Sequence, residues 1–332
     1  MERTRQCSCG GHGSGKPVSG ALAGVDVGGG GVRVLVRHGE RTVGARDKDP
    51  IPRVRGGIDV PLLVPRIAAL LQDTAHRSGA SGFARVAIGL TGLPDLIDDP
   101  GELVRLLREK VLADEVLMAA DALTTHTGAL GGRAGVVVAA GTGSVALGTD
   151  LQDVWKRTDG WGFLLGDRGS GAWVGQQGLR CALRARDGAH GGSSGLLLRL
   201  EACFGDVDQL ERQIYRGHGA TSSLLASFAP EVAAVAHTGD PVARRIWWDA
   251  GTYLGETAVA AAVAGLAPRF SWGGGLFDVG ALLYEPFRDE VRRHVPGACL
   301  LAPEGDSVTG ALALAESGAD LAHRPPYLYR HA

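Results

Sequence analysis

Residues 135–175 read GVVVAAGTGSVALGTDLQDVWKRTDGWGFLLGDRGSGAWVG, and this stretch decides the fold. An apolar run enters GTGS at residues 141–144, and VALGT then alternates on the way out. Strand, glycine turn and returning strand is the pattern of a β-hairpin. Two further glycine turns follow, with Trp161, Asp167 and Ser170 between them. A turn that brings its backbone against a ligand needs glycine, because a Cβ would block the approach. Several such turns with polar side chains between them point to a site. Gly141-Thr-Gly143 with Asp159 about 20 residues on also resembles a dinucleotide fingerprint, but that motif opens a helix directly after its glycines. SVALGTD turns back instead, which disfavours a nicotinamide or flavin cofactor.

Working outward, ALAGVDV enters the glycine run 28–31 and VRVLVRH returns, a second hairpin with Asp26 near the end of its first strand. A third strand is expected near 41–46. Residues 62–78 have helical spacing, with Pro61 and Pro65 at the start; ARVAIGL (84–90) is a buried strand closing in TGLP. A helix is expected over 101–113, a strand over 115–121 ending in Asp121, and a helix from ALTTHTGAL. A hinge is expected at Gly131 and Gly132. Beyond 175 come a helix-rich stretch to about residue 265, a strand running into glycines 273–275, a helix, the strand ACLLAP and a last helix over 306–320. Hairpin sheet, helix, strand, helix therefore occurs once in 22–130 and again from 135. The implied architecture is α/β, with mixed sheets flanked by helices in two lobes.

Composition bounds the function. The 332 residues suit about two domains. A net charge of −2 supplies no field for nucleic acid or an anionic membrane, and no apolar run approaches the ~18 residues of a membrane span. The five cysteines (Cys7, Cys9, Cys181, Cys203, Cys299) are odd in number and scattered, which argues against a disulfide framework and for a reducing, cytoplasmic setting. Residues 1–20 read as a disordered tail. Within it GGHGSGK (10–16) imitates a P-loop, but it lacks the preceding strand and the following helix that aim a P-loop's N–H groups. Cys7, Cys9 and His12 lack the second ligand pair of a zinc site.

Three glycine turns each end an apolar strand: 28–31, 141–143 and 273–275. Backbone N–H groups in such turns make anion-binding concavities. Two of them on opposed lobes would clamp a polyphosphate, and the third would pack against a base and ribose; each alone would be only a tight hairpin turn. Asp121 at a strand end is placed to accept a proton from a substrate hydroxyl, or to cap the helix that follows. Asp26 is placed to hold Mg²⁺ through water, or to form an Asx turn. Trp161 offers an apolar face for a pyranose and Asp167 an acceptor for its hydroxyls, against core packing and helix capping as the alternatives. His126 reads as a packed or surface histidine.

The runs GVDVGGGGVR, AADALTTHTGAL, AGVVVAAGTGSVALG, GWGFLLGDRGSGAWVG and SWGGGLFDVG, in that order over roughly residues 22–320, resemble the N-acetylglucosamine kinases. These belong to the BadF/BadG/BcrA/BcrD ATPase group of the actin-like, hexokinase-type superfamily. The resemblance implies two ribonuclease H-like lobes, 21–131 plus 307–322 and 132–306, with an ATP·Mg²⁺ cleft between them. It implies phosphorylation of the 6-hydroxyl of an amino sugar, N-acetylglucosamine first, with glucosamine or another hexose as the alternative; a dehydratase-activating ATPase and a non-catalytic sugar sensor are alternatives of other classes. Asp121 matches the family's catalytic base. Asp26, Gly28, Gly29 and Gly30 match the first phosphate loop, and Gly141, Thr142 and Gly143 the second. Gly274 and Gly275 match the adenosine loop; Ser144, Gly160, Trp161 and Asp167, with Asp121, match the sugar contacts. Gly310 matches the last connecting helix, and a homodimer is the family habit. Two departures stand out: Gly30 or Gly31 replaces the Thr of DGGGT, and Arg168 replaces the Glu of GDEGS, which puts the identity of the sugar in doubt.

Overall fold

The computed structural model describes residues 20–54, 57–93, 97, 99–216, 221–317 and 323–331. The P-loop-like run 10–16 and the Cys7, Cys9, His12 group lie outside them. The chain opens with a meander, β1 (Ala21–Gly28), β2 (Gly31–His38) and β3 (Arg41–Asp47), then a short ribbon of β4 (Arg53–Val54) and β5 (Gly57–Ile58). Next come α1 (Val60–Ser78), β6 (Phe83–Leu90), α2 (Pro100–Arg108), β7 (Ala113–Ala120) and α3 (Asp121–Leu130). A second meander follows, β8 (Gly135–Ala140), β9 (Ser144–Thr149) and β10 (Trp155–Asp159). Six helices succeed it: α4 (Gly171–Arg186), α5 (Ser194–Phe204), α6 (Val207–Arg216), α7 (Thr221–Ser227), α8 (Ala229–His237) and α9 (Pro241–Ala261). The remainder is β11 (Arg269–Gly273), a 3-10 turn (Gly275–Val279), α10 (Ala281–His294), β12 (Cys299–Leu300), α11 (Ser307–Ser317) and β13 (Leu328–His331).

The two sheets share one plan. The first runs β13-β7-β6-β1-β2-β3, with β1, β6 and β7 mutually parallel; the second runs β10-β9-β8-β11-β12, with β8, β11 and β12 mutually parallel. Each is an antiparallel meander extended by parallel strands reached through helices, as the repeated pattern predicts. Register then aligns the strand ends that matter. Val27 pairs with Leu90 and Leu90 with Ala120, so Gly28, Thr91 and Asp121 lie along one edge of the first sheet. In the second sheet Ala139 pairs with Gly273, which brings GTGS beside the third glycine turn. Crevices outside the carboxyl ends of parallel strands are where α/β folds bind ligands.

Local signals set the elements. Asp59 caps α1 by accepting from the Leu62 N–H at 3.1 Å, Pro61 sits in the first turn, and left-handed Gly79 closes the helix. The buried stripe Leu63, Ile67 and Leu71 faces the sheet. The helix expected over 101–113 stops at Arg108, because the chain is drawn into the sheet: Leu112 accepts from the Phe83 N–H and Ala113 pairs with Phe83. Beyond the short β4–β5 ribbon, two strands of the main sheets lacked a sequence signal. In β10 the charged pair Lys156 and Arg157 breaks the apolar alternation at a sheet edge. β13 is four residues long and is drawn onto β7 by Arg330, which donates to Glu115 at 2.6 and 2.9 Å while Arg85 donates to the same carboxylate at 2.5 Å.

The helix α11 returns from the second sheet and packs on α3 and β1. It can do so only through glycine. A Cβ on Gly310 would overlap the Thr124 carbonyl, one on Gly128 the Asp306 carbonyl, and one on Gly24 would lie 2.7 Å from the Val308 carbonyl. Overpacking against backbone has no flexible end to yield. We therefore expect Gly310→Ala to cost about 3 kcal/mol or more, read as a lowered urea midpoint at unchanged slope.

Candidate functional site

The site is built from strand ends. Asp121 is the first residue of α3, but the cap position is Ala120 and no side chain caps the helix, so the carboxyl is not spent on the role its position suggested. It is ringed by protein without being fully buried. Burial pushes its pKa up to about 6; the Thr91 hydroxyl and the Ala122 N–H oppose that shift, the Asp26 charge adds to it, and Arg157 also opposes it. Thr91 was missed in the sequence. It is the first residue after β6, and its own N–H donates to Val27 at 3.0 Å, which locks the ends of β1 and β6 together.

Asp26 is buried and forms no Asx turn. Across the β1–β2 hairpin it faces Arg33, whose Nε and Nη2 both donate to its Oδ2, at 3.0 and 2.8 Å. Oδ1 has no hydrogen-bond partner among the described residues. One free carboxylate oxygen suits a cation held mainly by phosphates and water, as Mg²⁺ is. No group of three or more His, Cys, Asp or Glu able to cage a metal occurs among the described residues.

The first two glycine turns meet. An added Cβ on Gly29 would lie 3.2 Å from Thr142 Oγ1, and one on Gly28 would lie 3.1 Å from Thr91 Oγ1. Gly30, beside them, is exposed. GTGS is seated on the start of α4, where the Gly171 and Ala172 N–H groups donate to the carbonyls of Gly141 (2.8 Å) and Thr142 (3.0 Å). The third turn leads into a 3-10 helix rather than a returning strand. Gly274 has φ 92°, and any Cβ there would overlap Ala140, so this loop lies against the strand that ends in GTGS. Gly275 is exposed next to it.

Asp167 sits directly beneath GTGS. A Cβ on Gly143 would come within 2.6 Å of its Oδ2, and its Oδ1 accepts from the Gly162 N–H at 3.2 Å. Ser170, not Asp167, caps α4. Burial and the neighbouring Asp159 charge push Asp167 up to about 6, against the Gly162 and Ser144 N–H groups and Arg157. Asp159 has φ 62° and Asp167 φ 53°, a region that Asp tolerates because its short side chain bonds locally. Asp159 does this twice, its Oδ1 accepting from Gly160 and Asp167 N–H groups at 2.8 Å each. Arg157 steadies the turn from below, donating to the Gly160 carbonyl at 2.6 Å.

Trp161 is 70% exposed, so the core-packing alternative fails; its ring lies 5.6 Å from the Arg157 guanidinium. Arg168 does not join this cluster. Its guanidinium lies 3.6 Å from the Tyr253 ring centroid and 3.6 Å from Glu256, both on α9. The Ser144 hydroxyl donates to the Arg168 carbonyl at 3.5 Å. His126 is fully buried and donates through Nε2 to the Gly135 carbonyl at 3.1 Å; burial lowers it to about 4, so it is a neutral packing residue. Cys181, Cys203 and Cys299 form no disulfide among the described residues and lie on three different elements, α4, α5 and β12.

Comparison with known proteins follows the same lines. An N-acetylmuramic acid/N-acetylglucosamine kinase of Clostridium acetobutylicum is 28% identical over 246 residues, 71% of this chain and 78% of its own. An N-acetyl-D-glucosamine kinase of Dictyostelium discoideum is 49% identical over 53 residues, 16% of this chain and 17% of that protein. Among solved structures, a candidate N-acetylglucosamine kinase from Chromobacterium violaceum matches at TM-score 0.66 and 26% identity, covering 90% of this chain and 100% of that one. The fold is also that of a ROK family glucokinase from Streptomyces griseus, at TM-score 0.61 and 19% identity over 90% and 99% of the two chains. The mixed α/β architecture read from the sequence, and the actin-like fold that the resemblance implied, are thereby borne out. Because its family model matches residues 23–315, the chain belongs to the BadF/BadG/BcrA/BcrD ATPase family.

Proposed function

We propose that the protein is an ATP-dependent kinase that phosphorylates the 6-hydroxyl of an amino sugar, N-acetylglucosamine first among them. The observation that carries this is Asp121: a carboxyl held near pH 6 by burial, steadied by Thr91, at the strand edge where two glycine turns meet. A base of that pKa is ionised at neutral pH and still basic enough to take a proton in the transition state.

Asp121 accepts the hydroxyl proton as the sugar oxygen attacks the γ-phosphoryl group. The amides of 28–30 and 141–143 hold the phosphates from opposite sides, and Gly274 and Gly275 back the adenosine. Bound Mg²⁺, held through water by Asp26, would supply positive charge to the phosphates. Trp161 stacks on the sugar, while Asp167, Ser144 and Gly160 fix its hydroxyls, so that positioning and electrostatics do the work. This reading divides the chain into lobes of 21–131 plus 307–322 and of 132–306. It also turns the Arg168 difference into a matter of scaffold, since that side chain is occupied on α9.

ATP consumption measured with N-acetylglucosamine, glucosamine, N-acetylmannosamine and glucose tests the assignment; no sugar-stimulated turnover with any of them would refute it. Asp121→Asn should lose turnover while binding ATP as before. Its Tm at pH 7.5 should equal or exceed that of the parent. A raised carboxyl pKa means the folded state binds more protons than the unfolded one between about pH 4 and 6, so ionised Asp121 costs stability above that window. With Asp121 and Asp167 both near 6 and both needed ionised, kcat/KM for the sugar should fall below pH 6 with a limiting logarithmic slope of two. Asp167→Asn should raise the sugar KM about 10- to 100-fold, the worth of a hydrogen bond to a charged group, and leave the ATP Kd unchanged.

A further inference from the structure

Arg33 holds the centre of a network that the resemblance did not include. Its Nε and Nη2 donate to Asp26 Oδ2, Nη1 donates to Asp306 Oδ2 at 2.6 Å, and Nη2 also reaches Ser307 Oγ at 2.8 Å. Asp306 and Ser307 lie 273 and 274 positions away, at the start of α11. Asp306 is itself held, since its Oδ1 accepts from the Thr309 N–H at 3.1 Å and the Thr309 hydroxyl at 2.8 Å. One planar guanidinium thus joins the carboxylate at the first phosphate loop to the cap of the returning helix. Burial alone would lower the Arg33 pKa; Asp26 and Asp306 outweigh it and hold the guanidinium charged.

The consequence is geometric. A carboxylate on a strand end is free to rotate about χ2, and its two oxygens are equivalent. Arg33 removes that equivalence by occupying Oδ2 with two donors, which a lysine could not do. Oδ1 alone is left for a ligand. The anchor is firm because α11 is wedged by glycine against α3, whose first residue is Asp121. Asp26 and Asp121 are therefore both referred to the same helix.

We propose that Arg33 is a positioning residue for the metal–nucleotide complex: by tying Asp26 Oδ2 to Asp306 and Ser307, it presents Oδ1 to the metal's water shell. This rests on the kinase reading above, and the test separates the two. The measurement is the Kd of ATP in excess Mg²⁺ and in EDTA, for the full-length protein and for Arg33→Gln, Arg33→Lys and Asp306→Asn. The ratio of the two constants reports the coupling between metal and nucleotide. We expect Arg33→Gln to shrink that ratio about tenfold, with the EDTA value and the sugar Kd within about twofold of the parent. Arg33→Lys and Asp306→Asn should shrink it to intermediate extents. A merely structural role would weaken all three constants together and leave the ratio alone, which would overturn the proposal; a ratio that rises would show Arg33 competing with the metal and overturn it equally. Should Arg33→Gln fail to fold, Asp306→Asn decides, and an unchanged ratio there refutes the idea. If the parent protein gains no ATP affinity from Mg²⁺, the metal-dependent reading falls as well.

Discussion

Everything in this structure depends on two helices being allowed to touch at the backbone. The chain leaves its first sheet through α3, builds a second sheet, and comes back as α11. The return is possible because Gly128 and Gly310 carry no side chain where the two helices cross. Interiors pack at crystal-like density, so a single methyl group at such a crossing has nowhere to go. The crossing holds α3 in place, and α3 begins with Asp121. It also packs α3 against the start of α11, where Asp306 meets Arg33. Asp121, Asp26 through Arg33, and the return of the chain are thus tied to one close contact.

Most of this was legible in the residues, for identifiable reasons. The hairpins at 28–31 and 141–143 announced themselves because alternation with glycine between the strands has few other meanings. The buried strands ending in TGLP and in Asp121 were equally plain. What escaped notice was set by tertiary pairing. β13 carries no pattern of its own and exists because β7 has an open edge and Glu115 attracts Arg330. α2 is shortened because the chain just beyond it is drawn to the sheet, Leu112 accepting from the Phe83 N–H and Ala113 pairing with Phe83.

The site divides the same way. Asp26, Asp121, Asp167 and the glycines were found by position. Thr91, Arg33 and Arg157 were not, because their importance comes from what stands across from them rather than from what stands beside them. Thr91 had a weak signal as the first residue past an apolar strand. Arg33 sat in plain view in an alternating run, where a basic residue reads as solvated surface. Arg168 is the opposite case: it drew attention as a charge reversal, yet its guanidinium is taken up by Tyr253 and Glu256 on α9. A side chain's place in a motif states its neighbours in sequence, not the direction it leaves the turn.

The first sheet is stitched from both ends of the chain, since β1 to β7 come early while α11 and β13 come last. During synthesis the emerging amino-terminal half therefore has an apolar sheet face without its covering helix, and an unpaired edge on β7. The second sheet and its helices are complete by Leu300, before α11 and β13 close that gap. The later-made sheet is thus finished first, and the edge of the earlier one that ends beside Asp121 stays open until β13 has been made. For a nascent chain that is a period of exposure, in which a chaperone or a premature stop near the carboxyl terminus would have an outsized effect.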